Sequence, residues 1–268
     1  MGFAASGVIT LTTDYGLTDP FVGIVKGAII ARHPAARIID LVHTLPAFEP
    51  AAAGFWLAHS FTQFPPGSVH VAIVDPGVGT ARAILAVECA GQVLLAPDNG
   101  LLDRVLARGD VAAIVELDAA LLAREGICAR SSTFHGRDIF APLAAEIAAG
   151  RRTIGSLGTA VHRRTAPKSR NRAASGDRSG QVAVVDRYGN LITDIEAPAD
   201  AAAAGWQVEV AGRRLPLLRT YAHVPHGQIL ALVNSFGLVE IGCNGASAAD
   251  SLGAGPGLPV ALFSPEPQ

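Results

Sequence analysis

The sequence predicts an α/β fold, with an N-terminal α/β domain built on a largely parallel central sheet and a smaller β-rich domain after it. Strand-like and helix-like segments alternate over the first 150 residues, as they do where helices cover a parallel sheet. After residue 180, short strand-like runs are separated by glycine and proline turns, which is typical of a barrel or a sandwich.

The N-terminal elements begin with a strand over residues 8–12, where β-branched side chains alternate. A helix is predicted over residues 21–32, with Pro20 near its first turn. Ligand sites in such folds lie beyond the carboxyl ends of strands, and Asp14 and Asp75 each follow a predicted strand. Further strands are predicted at residues 37–41, 69–74, 83–87 and 93–96, and further helices at 50–61, 101–107 and 139–149.

A polar, basic stretch at residues 163–180 separates the two parts and reads as an exposed connection. We therefore predict an α/β domain at 1–165, a linker at 166–180 and a β-rich domain at 181–268. Strands of the second domain are predicted at residues 181–185, 191–195, 206–210, 228–233, 238–242 and 259–263.

Composition excludes several classes of protein. The net charge is −2 and only two of the 21 basic residues are lysines, so the chain lacks the broad positive surface of a nucleic-acid-binding protein. No apolar run reaches the roughly 18 residues of a membrane helix, and no secretory signal is visible. Three scattered cysteines argue against a disulfide framework and a zinc site and favour the cytoplasm. The expected partner is a small molecule.

One loop organises the N-terminal half: Val-Asp-Pro-Gly-Val-Gly-Thr-Ala-Arg at residues 74–82. Proline and glycine make a tight turn, so Asp75 and Arg82 can face one cavity. The loop begins like a dinucleotide-binding G-x-G-x-x-G motif, but Arg82 stands at the third glycine and a strand follows where a helix is needed. We reject the nucleotide-binding interpretation, whereas an ordinary surface turn stays open on these residues alone.

His135 lies in Thr-Phe-His-Gly-Arg-Asp at residues 133–138, ahead of a predicted helix with Asp138 as its N-cap. A single loop histidine is often only a surface residue. Together with Asp75 and Arg82, however, His135 would complete an acid/base set.

Five motifs in order resemble the S-adenosyl-L-methionine hydrolase family, the SAM hydroxide adenosyltransferases, which are relatives of the fluorinating and chlorinating enzymes. Each motif is weak alone, but the five with compatible spacing cover nearly the whole chain. They are Leu-Thr-Thr-Asp-Tyr-Gly at 11–16, Val-Asp-Pro-Gly-Val-Gly-Thr at 74–80, Phe-His-Gly-Arg-Asp at 134–138, Asp-Arg-Tyr-Gly-Asn at 186–190 and Asn-Ser-Phe-Gly at 234–237.

The resemblance implies a C-terminal β-barrel and a homotrimer whose sites lie between the N-terminal domain of one subunit and the C-terminal domain of its neighbour. It implies hydrolysis of S-adenosyl-L-methionine to adenosine and L-methionine, with Asp75, Arg82 and His135 as the catalytic residues and no metal or redox cofactor. For the substrate it implies Asp14 on the ribose hydroxyls, Phe48 against the ribose, Asn190 and backbone near Cys243 on the adenine edge, Ser235 and Glu240 in the same pocket and Asp186 at the methionine amino group.

The chemistry of these residue types agrees with the resemblance. Water is a poor nucleophile, so displacement at C5′ needs a group that accepts its proton. Arg82 cannot be that base, because a guanidinium does not deprotonate in proteins, and His135 and Asp75 both remain open as acceptors. The halogenating relatives have a tyrosine at the position of Asp75 and an inserted loop after it. A carboxylate there repels halide, so we expect water as the nucleophile.

Two other functions remain open on the sequence. Asp14, Asp75, Asp98 and His135 are residue types that hold metal in a metal-dependent phosphoesterase. The second is a binding module that senses adenosine or S-adenosyl-L-methionine without turnover. We rank this module after the hydrolase and before the metalloenzyme.

Overall fold

The structure, a computed structural model, describes residues 2–108, 110–162, 171–172 and 177–265, and of residues 171–172 it describes the backbone. The chain divides into two units, Met1–Ala166 and Pro167–Gln268. Among the described residues, no helix has the length and apolar character needed to cross a membrane.

The first unit contains a mixed sheet with helices on both faces. Its strands are β1 (Val8–Thr13), β2 (Arg37–Val42), β3 (Val69–Ile73), β4 (Ile84–Cys89), β5 (Gln92–Pro97), β6 (Val111–Leu117) and β7 (Gly158–Ala160). Its helices are α1 (Phe21–Arg32), α2 (Pro50–Ser60), α3 (Asp103–Leu106), α4 (Ala119–Arg124) and α5 (Ala141–Ala148), and a π-helical turn, Gly136–Phe140, leads into α5.

The strand order is β2-β1-β3-β5-β4-β6-β7. The neighbours from β2 to β5 pair in parallel, which confirms the predicted α/β architecture. From β5 onwards the pairing is antiparallel. Between β4 and β5 this follows because two residues, Ala90 and Gly91, separate the strands and leave no room for a crossover helix.

Alternation along the strands produces two apolar layers, one on each face of the sheet. In β3, Val71 and Ile73 contribute to the core that contains α1 and α5. Ala72 and the following Val74 contribute to the core that contains α2 and α3. The central strands β1, β3, β4 and β5 are therefore buried on both sides.

The predicted N-cap role of Asp138 is wrong. This residue lies inside the π-helical turn, and its buried carboxylate accepts hydrogen bonds from the backbone N–H groups of Arg130 and Ser131, both at 2.9 Å. The sequence pattern suggested that Asp138 would cap the N-terminus of the following helix. Its carboxylate instead binds backbone N–H groups of the preceding loop.

The second unit is a closed seven-stranded β-barrel, as the family resemblance implied. Its strands are β8 (Asn171–Arg172), β9 (Arg178–Val185), β10 (Leu191–Glu196), β11 (Gln207–Val210), β12 (Arg213–Leu218), β13 (Ile229–Val233), β14 (Leu238–Cys243) and β15 (Pro259–Phe263), and a helix, α6 (Ala248–Leu252), follows β14. The barrel order is β9-β10-β14-β13-β12-β11-β15, and β9 pairs with β10 and β15 to close it.

Part of the predicted linker, at residues 166–170 and 173–176, lies outside the described residues. Within the same predicted range, β8 pairs antiparallel with the beginning of β9.

Candidate active site

The candidate site lies at the carboxyl ends of two neighbouring parallel strands. Thr13 at the end of β1 is in register with Ile73 at the end of β3. Asp14 follows β1 directly, and Asp75 stands two residues beyond β3. Parallel strands end at the same edge of a sheet, so both carboxylates leave the sheet on one side.

The turn after β3 depends on its glycines. Val78 N–H donates to Asp75 O at 3.2 Å, and Thr80 N–H donates to Gly77 O at 3.2 Å. Gly79 has a φ of +79°, and a Cβ at this position would lie 2.3 Å from the carbonyl oxygen of Ser132. Glycine is therefore required where this turn packs against the loop that carries His135.

Asp75 and Arg82 form a buried, bidentate ion pair across the turn. Arg82 Nε donates to Asp75 Oδ1 at 2.8 Å, and Arg82 Nη2 donates to Asp75 Oδ2. The side chains are 5% and 10% exposed, so water competes little for the pair. Two parallel charge-assisted hydrogen bonds fix the carboxylate in position and orientation.

His135 meets the same guanidinium. Arg82 Nη2 lies 3.1 Å from His135 Nδ1 and donates to it. Burial lowers the pKa of His135 and the charge of Arg82 lowers it further, against the opposite influence of Asp75 and Asp138. The ring is therefore neutral near pH 7, with its lone pair at Nδ1 and its proton at Nε2.

Asp138 holds the loop that carries His135. Besides the two backbone N–H groups, it accepts hydrogen bonds from Arg137 Nε at 2.7 Å and from Arg130 Nε at 3.1 Å. Burial raises the pKa of Asp138, but these hydrogen bonds outweigh burial and bring it to about 2. The carboxylate stays charged and fixes both ends of the segment from Arg130 to Asp138.

Asp75 and His135 line a cavity of about 300 Å³ together with Asp14 and Phe48, the predicted ribose-binding residues. Phe48 donates its N–H to Asp14 Oδ2 at 3.0 Å, and its side chain is 72% exposed. The φ of Phe48 is +66°, a strained conformation for a residue other than glycine and one that concentrates at ligand sites. The cavity is lined by Asp14, Tyr15, Phe21, Ala47, Phe48, Ile73, Asp75, Val78, Thr133, His135 and Gly136.

Three of the predicted residues of the second unit, Asp186, Asn190 and Glu240, belong to one polar cluster. Asp186 accepts hydrogen bonds at 2.9 Å from both the N–H and the Nδ2 of Asn190. Glu240 accepts hydrogen bonds from the hydroxyl of Tyr221 and, at 3.2 Å, from Asn234 Nδ2. Burial raises the pKa of Glu240, and nearby Asp186 adds to the rise, although both hydrogen bonds oppose it.

Two further predicted residues lie near this cluster in sequence. Ser235 is exposed in the turn between β13 and β14, and Cys243 is buried at the end of β14. The cluster thus brings Asp186, Asn190 and Glu240 together, while Ser235 makes no hydrogen bond to it within the described part of the chain.

Sequence reasoning missed two tyrosines. Tyr15 lies inside the first family motif and lines the cavity, so the motif itself was a usable signal. Tyr221 begins a 3₁₀ turn, and its hydroxyl lies 3.4 Å from Asn190 Nδ2 as well as against Glu240. Nothing in its sequence surroundings indicates that contact.

The four residues considered as metal ligands do not form such a site. Asp75 is held by Arg82, while Asp14 accepts the N–H of Phe48. In the parts of the chain that the structure describes, no group of three or more histidine, cysteine, aspartate or glutamate side chains is placed to hold a metal ion.

Comparison with known proteins agrees with the motifs. A family model for the SAM hydroxide adenosyltransferase N-terminal domain matches residues 9–158, and the model for its C-terminal domain matches residues 180–261. An (R)-S-adenosyl-L-methionine hydrolase of Thermus thermophilus is 39% identical over 257 residues, which cover 94% of this chain and 97% of that protein.

More distantly, a fluorinase of an Actinoplanes species is 25% identical over an alignment of 293 positions, gaps included, that covers 95% of this chain and 97% of the fluorinase. Among solved structures, an uncharacterized conserved protein from Thermotoga maritima superposes with a TM-score of 0.83 at 30% identity, covering 95% of this chain and 99% of that chain. Both domain models match in order over most of the sequence, and the chain therefore belongs to the SAM hydroxide adenosyltransferase family.

Proposed function

We propose that this protein hydrolyses S-adenosyl-L-methionine to adenosine and L-methionine by attack of water on C5′. The observation that carries the proposal is the hydrogen-bonded set of Asp75, Arg82 and His135, of which Asp75 and His135 line the cavity that also contains Asp14. The name of the Thermus thermophilus relative, which matches nearly end to end, supports the same reaction.

The reaction balances without a cofactor. The oxygen of water forms a bond to C5′, the C5′–sulfur bond breaks with its electron pair going to sulfur, and a proton leaves the water. Sulfonium becomes the neutral thioether of methionine. Hydroxide character and sulfonium charge are both lost as the bond forms, so a closed pocket with little water favours the transition state.

Within this proposal, Asp75 is the preferred proton acceptor. The Nδ1 lone pair of His135 is engaged by Arg82, so Nε2 carries the proton and cannot accept another. Each carboxylate oxygen of Asp75 has a second lone pair beyond the one that Arg82 uses. Arg82 stabilises the charge that develops on the attacking oxygen, a role typically worth about 10²- to 10³-fold in rate.

The remaining substrate contacts are proposed from the family likeness and the local geometry. Asp14 holds the ribose hydroxyls, and Phe48 covers the ribose. We assign the adenine edge to Asn190 and the backbone near Cys243, with Ser235 and Glu240 in the same pocket, and the methionine amino group to Asp186. We further propose a cytoplasmic homotrimer in which a neighbouring subunit completes each site.

A chromatographic assay of purified protein with S-adenosyl-L-methionine tests the reaction directly. We expect adenosine and methionine as products in equal amounts, unchanged by added chloride or fluoride and by EDTA. A carboxylate repels halide in a buried site, so we expect water and not halide to be the nucleophile. A 5′-halo-adenosine as the main product, or loss of turnover with EDTA, contradicts the proposal.

Asp75→Ala separates an enzyme from a sensor. We expect the variant to bind S-adenosyl-L-methionine and to release adenosine at least about 100-fold more slowly, because it lacks the proton acceptor. Glu209→Ala, at an exposed position of β11, is the matched control and should turn over normally. Binding by wild type and variant with turnover by neither would identify a sensor.

A further inference from the structure

Tyr15 presents its hydroxyl to the cavity from a fixed ring. The ring packs edge-on against Phe21, with centroids 6.2 Å apart, and against Phe134, with centroids 6.1 Å apart. The N–H of Tyr15 donates to Thr13 Oγ1 at 3.2 Å, and that oxygen lies 2.8 Å from Nδ1 of buried His43. Backbone and ring are therefore both held in place.

The Tyr15 hydroxyl occupies space that a side chain at position 136 would fill. A Cβ built on Gly136 would lie 2.6 Å from the hydroxyl oxygen of Tyr15, while its next contact would be an ordinary 3.4 Å to Ile73 Cδ1. Gly136 follows His135 directly, and both line the cavity with Tyr15 and Asp75. The hydroxyl thus lies on the wall of the cavity that carries the proposed acid/base residues.

The hydroxyl is available to a ligand. Across the described residues, the contacts of Tyr15 are those of its N–H and its ring, and its hydroxyl makes no hydrogen bond. Burial raises the pKa of Tyr15, and the charges of Asp14 and Asp75 raise it further. The group is therefore neutral over the working pH range and acts as a hydrogen-bonding hydroxyl, not as a base.

We propose that the Tyr15 hydroxyl binds the attacking water, which makes Tyr15 a further catalytic residue of this site. The proposal rests on the proposed hydrolysis of S-adenosyl-L-methionine. One hydrogen of the water bonds to the Tyr15 oxygen, and the other points to Asp75, so that a lone pair is left for C5′. During attack the oxygen–C5′ bond forms, the C5′–sulfur bond breaks towards sulfur, and the second hydrogen passes to Asp75.

The wild-type chain with two single variants and their combination tests this role. Tyr15→Phe keeps the ring contacts and removes the hydroxyl. We expect kcat to fall about 10- to 100-fold with KM for S-adenosyl-L-methionine within about twofold, because the water is misplaced while substrate contacts remain. Circular dichroism and thermal unfolding show whether the variant keeps the fold.

Gly136→Ala tests the position of the Tyr15 hydroxyl independently of Tyr15→Phe. The added methyl group displaces the hydroxyl in wild type, so kcat should fall, whereas in the Tyr15→Phe background it meets no oxygen and should cost little more. Such non-additivity reports a direct interaction between the two positions. Gly27→Ala in α1, where a Cβ would meet no atom within 4 Å, is the matched control and should leave kcat unchanged.

The outcomes separate this proposal from the proposed function. If wild type releases no adenosine, hydrolysis itself is wrong. If wild type is active and Tyr15→Phe keeps its kcat, or raises only KM, the hydroxyl does not hold the water. Equal losses from Gly136→Ala in both backgrounds would likewise overturn the assignment.

Discussion

The Nη2 nitrogen of Arg82 lies 3.1 Å from the Nδ1 nitrogen of His135 and also donates to Asp75. One guanidinium nitrogen thus fixes the tautomer of the histidine and the orientation of the carboxylate together. Protonation of His135 at Nδ1 would place two N–H groups against each other, so the arrangement exists with a neutral ring.

The pH dependence of turnover should reflect that requirement. The pKa of His135 lies below the ordinary value of about 6.5, so the ring is neutral above it and gains a proton only as the pH falls below it. We expect kcat/KM to be constant from about pH 8 down to about pH 6.5 and to fall at lower pH. An acid limb centred above pH 7, measured by adenosine release, would contradict a neutral His135.

Replacing Arg82 by lysine should preserve the charge and lose the geometry. An ammonium group cannot hold both carboxylate oxygens and the histidine at once. We expect kcat of Arg82→Lys to fall about 100-fold, with a smaller change in KM. Arg108→Lys is the control, because Arg108 makes the same bidentate contact with Asp110 at 2.9 and 2.8 Å on the surface and should tolerate the change.

Asn99 and Asp98 hold the two ends of the Asp75–Arg82 turn. Asn99 Nδ2 donates to Val74 O at 2.8 Å, and Asp98 N–H donates to Ala83 O at 2.9 Å. Asn99→Asp replaces the donor with an oxygen that repels the buried carbonyl of Val74. We expect a loss of about 1–3 kcal/mol in the free energy of unfolding and about tenfold in kcat.

Urea denaturation and initial rates measure the two effects of Asn99→Asp. Asn99→Ala, which removes the donor without adding a charge, should lose less of both quantities. An Asn99→Asp protein as active as wild type would show that the turn keeps its shape without this hydrogen bond.

His70 should make the stability of the first unit depend on pH. Its Nδ1 lies 2.7 Å from Thr10 Oγ1 and its Nε2 lies 2.7 Å from Gln92 Oε1. Burial lowers the pKa of His70 to about 4, against which the hydrogen bond to Gln92 acts. The unfolded chain therefore binds the proton first, and stability falls as the pH drops from about 6.5 towards 4.

The expected loss is about 3 kcal/mol over that range, since each pKa unit is worth about 1.4 kcal/mol. Urea denaturation at several pH values measures it. His70→Gln should be less stable at neutral pH but lose less on acidification, while His33→Gln at the end of α1 should follow wild type. Parallel curves for wild type and His70→Gln would assign the acid sensitivity to other groups.

The strongly patterned part of the fold was predictable from the sequence. β1 and α1 follow uninterrupted alternation or helical spacing, and their predicted bounds agree with the structure to within one residue. The predictions omitted β6, where alanines weaken the strand pattern, and β12, where Pro216 and two arginines argue against a strand. Pairing with neighbouring strands decides these segments, and that information is not local.

The contacts of the site were only partly predictable from the sequence. The Asp75–Arg82 contact follows from one turn, but His135 is 53 residues from Arg82, and its place was expected from the resemblance and not from spacing. The hydrogen bonds of Asp138 and Tyr221 depend on loops brought together by the fold. The catalytic and substrate-binding roles themselves stay predictions.

The register of β1 with β3, in which Thr13 stands opposite Ile73, has an evolutionary consequence. Asp14, proposed to hold the sugar, and Asp75, proposed to face the nucleophile, leave the sheet from separate strands about 4.8 Å apart. Selection can therefore rebuild the turn after β3 for another nucleophile while the sugar-holding strand stays as it is. A common ancestor could have given rise to water-using and halide-using descendants by remodelling that single turn.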